Sequence, residues 1–366
     1  MRRSLLNLVR DPRTNQSLDI AVFKTEVEPG TGHEDIVDGI LYNEQCRTVY
    51  PVIHGVPVML DSGLPQDFLE KYAEQISAIK EVSRLSIKTE KDRTWSFSRE
   101  WKYHFESDVE RTWGWSVAER VEQFLLETQV NREWCEGKLI LDAGCGTGTL
   151  AEALALLGAE VVALDYSSSV FHAEQRRKSS QVHFVQGDLQ TPPLDHDIFD
   201  LVISIGVLHH TPNTYETFVQ VAKLVRPGGL FYLWLYRRPE EFHRRYLKYP
   251  LFDLARAVIS RLPLRPQSLA ITSYARLWKT VHRLLHGSDD IPLSEYVVSA
   301  YDDFSPRWRS YHTPYEVSSW FFQNSFSAPT LTHWDNPYGF GCVAEKTRQT
   351  RTPGIHYENR KDGEKK

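Results

Sequence analysis

An acidic residue followed by a run of glycines marks the part of the chain best suited to binding a nucleoside. Asp142 precedes Gly144, Gly146 and Gly148, which occupy alternate positions between a strand-like and a helix-like segment. Glycines let the backbone pass close to a ligand because they carry no Cβ atom. The spacing departs from the G-x-G-x-x-G fingerprint of dinucleotide sites, whose third glycine would fall on Thr149. The loop therefore disfavours NAD, and an acid at 142 suits an ammonium group better than a pyrophosphate.

Two more carboxylates stand at the ends of later strand-like segments. Asp165 ends EVVALD, and Asp188 follows Gly187 after QVHFVQ. An acidic side chain at the end of the second strand can accept hydrogen bonds from ribose hydroxyls, and one after the third could accept the exocyclic amine of adenine. Because ligands of open parallel sheets bind beyond the carboxyl ends of the strands, we expect Asp142, Asp165 and Asp188 to converge on one nucleoside.

Two histidines, His209 and His210, directly follow the strand-like segment FDLVISIG. A histidine titrates near neutral pH and can therefore take the proton of a hydroxyl acceptor. We expect His210 to act as a base or to orient the acceptor, with His209 second; the competing interpretation is that one of them caps a helix or packs. Asp302, Asp303 and His312 are a second group of catalytic candidates, for which surface acids and a helix-capping segment are the competing interpretation.

The order of the predicted elements is typical of a parallel α/β sheet. Strands alternate with segments that carry apolar residues at helical spacing, which predicts right-handed crossovers. The five strands lie in KLILDAGCGTG, EVVALD, QVHFVQGD, FDLVISIG and LFYLWLY. After a mostly helical stretch, TPYEVSSWFFQNSF is predicted to be a helix capped by Thr313, and TLTHWDN and GFGCVAEK are predicted to be the last two strands.

These segments together resemble the successive motifs of class I S-adenosylmethionine-dependent methyltransferases, closely over 115–236 and more loosely over 305–346. The resemblance is carried by the glycine loop, the acids after the second and third strands, FDLVISIGVLHHTPN and LVRPGGLFYL. It implies a Rossmann-like, seven-stranded, mostly parallel sheet in which GFGCVAEK is antiparallel and inserted between the fifth and sixth strands. It also implies S-adenosylmethionine as cofactor, bound by Asp142, Gly144, Cys145, Gly146, Gly148, Asp165, Tyr166, Gly187, Asp188, Leu189, Ser204, Ile205 and Gly206.

The resemblance assigns parts of this set to parts of the cofactor. The glycine loop would hold the methionine portion and Asp165 the ribose. Asp188 and Leu189 would flank the adenine, and residues 204–206 would lie beneath the sulfonium. Because the donor is already activated, such an enzyme mainly orients the acceptor and excludes water.

The chain divides into several predicted parts around this domain. Residues 1–62 resemble a degenerate zinc ribbon of the methyltransferase-activator type, in which Asp11, Thr14, Asn43 and Cys46 take the knuckle positions, so no metal is expected. Residues 63–114 are predicted to be a helical linker or lid, with Tyr103 and His104 as weaker catalytic candidates. The methyltransferase domain spans 115–346 with a helical cap insertion at 237–300, and 347–366 are predicted to be disordered.

The cap insertion is strongly basic, although the whole chain has a formal net charge of −5. Between 237 and 286 there are eleven Lys or Arg and three Asp or Glu. This charge favours an anionic acceptor such as a phosphate, a carboxylate or a carrier-linked intermediate. The alternatives are a helix resting on anionic lipid and an ordinary solvated face.

Composition narrows the class of protein further. The net charge argues against a general nucleic-acid binder, and the four scattered cysteines argue against a disulfide framework. No run is apolar and long enough to cross a bilayer, which predicts a cytoplasmic protein. We expect a small-molecule methyltransferase, with oxygen favoured as acceptor atom, in secondary-metabolite or glycan biosynthesis. An RNA methyltransferase and a non-catalytic cofactor-binding scaffold are the alternatives.

Overall fold

The computed structural model contains two β-sheets joined by helices. It describes residues 1–27, 32–60, 63–79, 82, 117–238, 248–287, 291–333, 336 and 338–348. The predicted lid with Tyr103 and His104, and the predicted tail from 349 onward, lie outside the described residues.

The N-terminal module is an antiparallel sheet in the order β1-β2-β3-β4. Its strands are β1 (Asp19–Val27), β2 (Glu34–Asn43), β3 (Thr48–Ile53) and β4 (Val56–Pro57). His54 and Gly55 join the last two strands, and their φ angles of 50° and 84° are those that a two-residue type I′ turn requires. The small N-terminal β-rich module is therefore confirmed.

The positions that correspond to the zinc knuckles lie together in this module. The Thr14 Oγ1 atom is 3.0 Å from Cys46 Sγ. Asp11 Oδ1 accepts hydrogen bonds from the Thr14 amide and hydroxyl, each at 2.9 Å, and Asn43 Oδ1 accepts one from the Cys46 amide at 2.8 Å. Hydrogen bonds thus connect the two turns, and within the described residues no group of three or more His, Cys, Asp or Glu is placed to hold a metal.

Two short helices, α1 (Gln66–Lys71) and α2 (Ala73–Ala78), follow the N-terminal sheet. Their aromatic side chains cover β1, because the Phe68 and Tyr72 rings lie 6.2 and 4.9 Å from the Phe23 ring. Tyr72 also donates a hydrogen bond of 2.5 Å to the buried carboxylate of Asp38. The described start of the predicted helical linker is therefore packed on the N-terminal module.

The main sheet has seven strands in the order β10-β11-β9-β8-β5-β6-β7. They are β5 (Leu139–Ala143), β6 (Glu160–Asp165), β7 (Val182–Gln186), β8 (Phe199–Ile205), β9 (Val225–Tyr236), β10 (Thr330–Thr332) and β11 (Gly339–Glu345). The strands from β5 to β9 are parallel, and β11 runs antiparallel between β9 and β10. The predicted topology, with GFGCVAEK as the inserted antiparallel strand, is confirmed.

Alternating side chains of the central strands build a core on each face of this sheet. Leu141 and Val162 belong to one buried cluster, and Ile140 and Val161 belong to the other. Because both faces are covered, these strands read as continuous apolar runs. The covering helices are α3 (Val117–Thr128), α4 (Thr149–Ala155) and α5 (Ser169–Gln175) on one face, and α6 (Thr214–Ala222) and α10 (Pro314–Gln323) on the other.

Helix α10 begins where the sequence predicts. Thr313 Oγ1 accepts a hydrogen bond of 3.2 Å from the Glu316 amide, while the Glu316 carboxylate accepts one from the Thr313 amide. This reciprocal pair is a capping box, with Pro314 in the first turn.

The cap insertion consists of α7 (Lys248–Ile259), α8 (Leu264–His286) and α9 (Leu293–Phe304). It has a small core of its own, in which Ile271 and Ala275 of α8 pack against Tyr296 and Tyr301 of α9. Of the helices in the described residues, none has the length and apolar character that a membrane span requires.

The N-terminal module and the main domain share one hydrophobic core. Leu5 and Val9 belong to the same buried cluster as Val162 and Leu164 of the main sheet. Single β-bridges, Val9 to Leu194 and Val58 to Gln186, also connect the two parts. The module is therefore an integral layer of the fold.

Candidate active site

The glycine loop after β5 is held against the segment that follows β8. Gly144 has a φ of 99°, and a Cβ atom at this position would lie 2.3 Å from Val207 Cγ2. A side chain at 144 would therefore clash with the β8 segment as well as strain the backbone. The amides of Gly144 and Cys145 both donate to the Leu164 carbonyl, at 2.8 and 3.1 Å, which anchors the loop to β6. The loop is thus a fixed, open surface at the carboxyl end of the sheet.

Asp142 is buried beneath this loop, with 5% of its surface exposed. Its Oδ2 atom accepts no hydrogen bond from the described residues. Burial raises the pKa of Asp142 to about 7, the charge of Asp165 adds to this effect, and the charge of Arg120 opposes it. A buried carboxylate with an unsatisfied oxygen is costly, and a ligand cation placed here would offset that cost.

Asp165, at the end of β6, is tied to the same loop. Its Oδ2 accepts a hydrogen bond of 2.8 Å from the Gly146 amide, and its Oδ1 accepts from the Ser167 amide and hydroxyl at 2.8 and 2.6 Å. Burial raises the pKa of Asp165, and these hydrogen bonds oppose the rise. A carboxylate offers about four lone-pair positions, so it can still accept from ribose hydroxyls. Tyr166 follows directly, and its carbonyl accepts from Gln186.

Asp188 lies at the next strand end, two residues beyond β7. Its carboxylate accepts a hydrogen bond of 2.8 Å from the Gln190 amide and faces the Gln190 side chain at 3.1 Å. Leu189 beside it is buried. The ends of β5, β6 and β7 are neighbours in the sheet, so the three predicted carboxylates stand along one edge.

The segment 204–206, predicted to lie beneath the sulfonium, combines a buried side chain with more open backbone. Ser204 is fully buried, and its hydroxyl donates to the Ala143 carbonyl at 2.9 Å, so its side chain joins β8 to β5. Ile205 is half-buried, and Gly206, with a φ of 75°, has open space where a Cβ would stand. This segment therefore offers a ligand the backbone of residues 205–206 and not the Ser204 hydroxyl.

Arg120 on α3 is a site residue that the sequence analysis missed. It is largely buried, and its charge acts on both Asp142 and Glu127. Burial lowers its pKa, and the two carboxylates counteract this. The charges of Arg120 and Asp142 thus act on one another near the end of β5, which suits a ligand carrying both an ammonium and a carboxylate group. A lone arginine in an amphipathic helix gave no signal in the sequence.

A second cluster, formed by His210, Asp302 and Tyr236, lies beyond the ends of β8 and β9. His210 Nε2 is 3.5 Å from Asp302 Oδ1, and Tyr236 Oη donates to Asp302 Oδ2 at 2.6 Å. His210 Nδ1 is 3.1 Å from the Trp308 carbonyl oxygen. Burial alone would raise the pKa of Asp302, but the contacts with His210, Arg309 and Tyr236 outweigh it and lower the pKa. The carboxylate therefore stays ionised.

Arg309 places a positive charge beside this cluster. Its guanidinium lies 4.3 Å from the centre of the Tyr236 ring and 5.7 Å from that of Phe252 on α7, and it donates to Asp303 Oδ1 at 3.0 Å. Residues of α7, α9 and the 305–312 segment therefore meet over the ends of β8 and β9. Two carboxylates and one guanidinium leave this enclosed cluster without an excess of positive charge.

The His209 side chain is buried in the core. It has 0% exposure, neither ring nitrogen has a hydrogen-bond partner among the described residues, and its ring packs 3.9 Å from that of Tyr236. Burial, followed by the neighbouring positive groups, lowers its pKa well below the usual range, so it stays neutral. This position fits packing, the competing interpretation, better than contact with an acceptor.

His312 is also separate from the His210–Asp302 pair. Its Nδ1 lies 3.1 Å from Glu316 Oε1 and its Nε2 lies 3.0 Å from Ser310 Oγ. It lines an open groove of about 500 Å³ between the starts of α6 and α10, together with Thr214 and Trp320. Of the predicted catalytic residues that the structure describes, His210 and Asp302 are therefore brought together, and Asp303 joins them through Arg309. Tyr236 and Arg309 are the partners that the sequence analysis missed.

Residues 141–233 match a family model described as a methyltransferase domain. A ubiquinone biosynthesis O-methyltransferase of Coxiella burnetii is 32% identical over 134 residues, which cover 34% of this chain and 56% of that protein. A sterol 24-C-methyltransferase of Pneumocystis carinii is 31% identical over 108 residues, which cover 27% of this chain and 29% of that protein. The chain thus spans about half, or less, of the curated relatives it matches.

Among solved structures, two matches to methyltransferases are weaker in sequence identity. A complex between the Haloferax volcanii Trm112 methyltransferase activator and a methyltransferase gives 16% identity and a TM-score of 0.43, with 70% of this chain and 100% of that chain covered. Magnesium protoporphyrin IX methyltransferase from Synechocystis with bound SAH gives 18% identity and a TM-score of 0.36, with 68% and 84% covered.

Proposed function

We propose that this chain is an S-adenosylmethionine-dependent methyltransferase that methylates a hydroxyl group of a small acceptor held beneath the α7–α9 cap, since residues 141–233 match a methyltransferase domain. The observation that carries this proposal is the cluster of His210, Asp302 and Tyr236 beyond the ends of β8 and β9. The side chain of Val207, three residues before His210, packs against Gly144 of the glycine loop. The predicted acceptor groups thus adjoin the predicted cofactor groups.

The residues at the end of β5 fit S-adenosylmethionine. We assign the ammonium group to the unsatisfied oxygen of Asp142, and the carboxylate to Arg120, whose charge acts on Asp142. Asp165 and Asp188 would hold the ribose and the adenine. When bound, the cofactor supplies a methyl group on a sulfonium, which makes the methyl carbon strongly electrophilic.

The acceptor hydroxyl has to lose its proton, and the His210–Asp302 pair is placed to take it. The Trp308 carbonyl can only accept a hydrogen bond, so the facing Nδ1 of His210 carries a hydrogen. Nε2 is then the nitrogen that receives the proton, and the ionised Asp302 stabilises the resulting imidazolium. The 3.5 Å separation exceeds a good hydrogen bond, so an acceptor oxygen can compete with Asp302 for Nε2.

Four arginines of the cap, Arg261, Arg265, Arg276 and Arg283, are exposed, whereas Arg256 is half-buried and donates to the Pro306 carbonyl. We therefore assign the anionic or carrier-linked part of the acceptor to the exposed surface of the cap and its hydroxyl to the His210–Asp302 pair. Acceptors of this kind occur in secondary-metabolite and glycan biosynthesis, and the relatives named above act on ubiquinone precursors or sterols by their descriptions.

The proposal is tested by titrating the full chain with S-adenosylhomocysteine and then measuring its release from S-adenosylmethionine with a panel of phenols, sugars and lipid-linked hydroxyl compounds. Turnover on a hydroxyl acceptor that is lost in His210→Ala, with cofactor affinity retained, is the expected result. Cofactor binding without turnover on any acceptor would favour a scaffold, and methylation of RNA alone would favour the second enzymatic alternative; both would overturn the proposal. Asp165→Asn serves as the control that should lose cofactor binding itself.

A further inference from the structure

Helix α8 presents a stripe of apolar side chains to solvent. Tyr274, Leu277 and Leu284 are 37%, 63% and 76% exposed, and the half-buried Ala270 and Val281 complete the series. Positions 270, 274, 277, 281 and 284 follow helical spacing and lie on one face. Trp278 and Leu285, 48% and 71% exposed, extend this surface. A continuous exposed apolar face is rare on a soluble domain and indicates an interaction site.

Leu277 and Leu284 lie away from the side by which α8 joins the rest of the cap, whereas the Tyr274 ring, at the edge of the stripe, also packs 4.8 Å from the Phe304 ring of α9. The inner side of the helix is already covered, because Ile271 and Ala275 are buried against α9. Tyr301 of α9 donates a hydrogen bond of 2.8 Å to Ser268, and Lys279 Nζ donates to the Ile291 carbonyl. The part of the stripe around Leu277 and Leu284 is therefore additional apolar surface that the folding of the cap does not cover.

A second stripe, about a third of a turn away, is basic. Arg265, Arg276 and Arg283 are exposed and share one side of α8. The helix contains no Asp or Glu over its 23 residues. Exposed guanidinium groups beside an apolar stripe fit an extended anionic surface with an apolar interior.

We propose that α8 docks the protein on an anionic lipid surface, with its apolar stripe in the acyl boundary and its arginines among the headgroups. An amphipathic helix with a basic polar side and aromatic residues at the boundary, as Tyr274 and Trp278 are here, lies in the membrane interface without crossing it. A second copy of the chain is disfavoured as occupant, because pairing two such stripes would bring arginines close together. Docking places the cap next to the membrane, where a lipid-linked acceptor is concentrated.

The experiment is co-sedimentation of the full chain with phosphatidylcholine vesicles, with and without one third phosphatidylglycerol. We expect binding to the anionic vesicles that weakens with salt, and little binding to phosphatidylcholine alone. Leu277→Gln with Leu284→Gln should reduce the partition coefficient at least tenfold, since two apolar side chains no longer leave water. Arg276→Gln with Arg283→Gln should reduce it about 25-fold, roughly fivefold per arginine. Leu156→Gln is the matched control, because Leu156 is 77% exposed but lies on α4's end.

Two outcomes would overturn the proposal. Partitioning that is the same for the double leucine variant and the wild type would show that the stripe does not enter the bilayer. A dimer in light scattering that the double leucine variant converts to a monomer would assign the stripe to a second copy. Thermal stability and S-adenosylhomocysteine affinity should be unchanged in these variants, and neither measurement depends on finding an acceptor. Vesicle binding therefore succeeds or fails independently of the proposed methyl transfer.

Discussion

His210 Nε2 lies 3.5 Å from Asp302 Oδ1, although the cap insertion separates these two residues in the sequence. The first follows β8 and the second lies near the end of α9. Tyr236, the last residue of β9, donates to the other oxygen of the same carboxylate. The pairing therefore depends on how the end of the insertion returns to the sheet.

Removal of either partner should slow turnover much more than it weakens cofactor binding. We expect kcat of His210→Ala and of Asp302→Asn to fall at least about 100-fold, the usual contribution of a positioned acid–base group. Methyl-transfer kinetics with an identified acceptor measure kcat, and calorimetry with S-adenosylhomocysteine measures cofactor affinity. Asp253→Asn, which changes an acid of α7 that pairs with Arg256, is the control and should keep full activity. Full activity of His210→Ala would remove this residue from the reaction.

The affinity for S-adenosylhomocysteine should rise with pH between about 6 and 7.5. Burial raises the pKa of Asp142 to about 7, so the cofactor-free protein holds a proton on this carboxyl in the acidic part of that range. Binding an ammonium group requires the ionised form, so affinity increases up to tenfold per pH unit until Asp142 is ionised without ligand. Calorimetry across the range gives the slope.

The Asp142→Asn variant tests whether Asp142, and not another group with a similar pKa, causes this pH dependence. Glu174 also has a pKa raised by burial to about 7, but it lies under the N-terminal module and not at the loop. The variant should bind more weakly at pH 7.5 and lose the pH dependence. A slope that persists in Asp142→Asn would transfer the titration to another group.

Gly144→Ala should both destabilise the fold and impair cofactor binding. Its Cβ would lie 2.3 Å from Val207 Cγ2 at a φ of 99°, so overlap and backbone strain together cost about 2–4 kcal/mol. Urea unfolding measures this loss. Gly137→Ala is the matched control, because Gly137 has a φ of 67° with nothing within 4 Å of its Cβ position, and should cost about 1–2 kcal/mol. Equal losses in the two variants would mean that the contact with Val207 is unimportant.

The sequence was sufficient where local chemistry determines structure. Apolar strands that alternate with helical segments predict a parallel sheet, because a sheet covered on both faces buries continuous apolar strands. Its seven-stranded order was implied by the family resemblance. The capping box at Thr313 and Glu316 is likewise local, since the two residues satisfy each other's amides. The carboxylates 142, 165 and 188 stand along one edge because parallel strands end on the same side.

Contacts between segments that lie far apart in the chain could not be predicted from the sequence. Neither Tyr236 nor Arg309 stands out until α9 brings Asp302 and Asp303 beside them. Likewise, the count of eleven basic residues along the insertion does not tell which of them are exposed, whereas the structure shows that four of its arginines are. The sequence does not distinguish the two adjacent histidines. In the structure, the turn after β8 buries His209 and brings His210 close to Asp302.

Arg177→Met should destabilise the protein more than any exposed ion-pair variant. Arg177 lies 2.5 Å from Asp35 of the N-terminal module and 3.0 Å from Glu174 of α5, and all three side chains are less than 15% exposed. Its removal takes the nearest cation from two buried carboxylates and leaves Asp35 only the 3.6 Å contact with Arg2. We expect this to cost up to about 3–5 kcal/mol, partly relieved by protonation of Glu174. Urea unfolding at pH 7.5 measures the loss. Arg132→Met, which breaks an exposed pair with Glu122, is the matched control and should cost no more than about 1 kcal/mol. If the two variants are equally stable, the buried ion cluster does not hold the N-terminal module to the main domain.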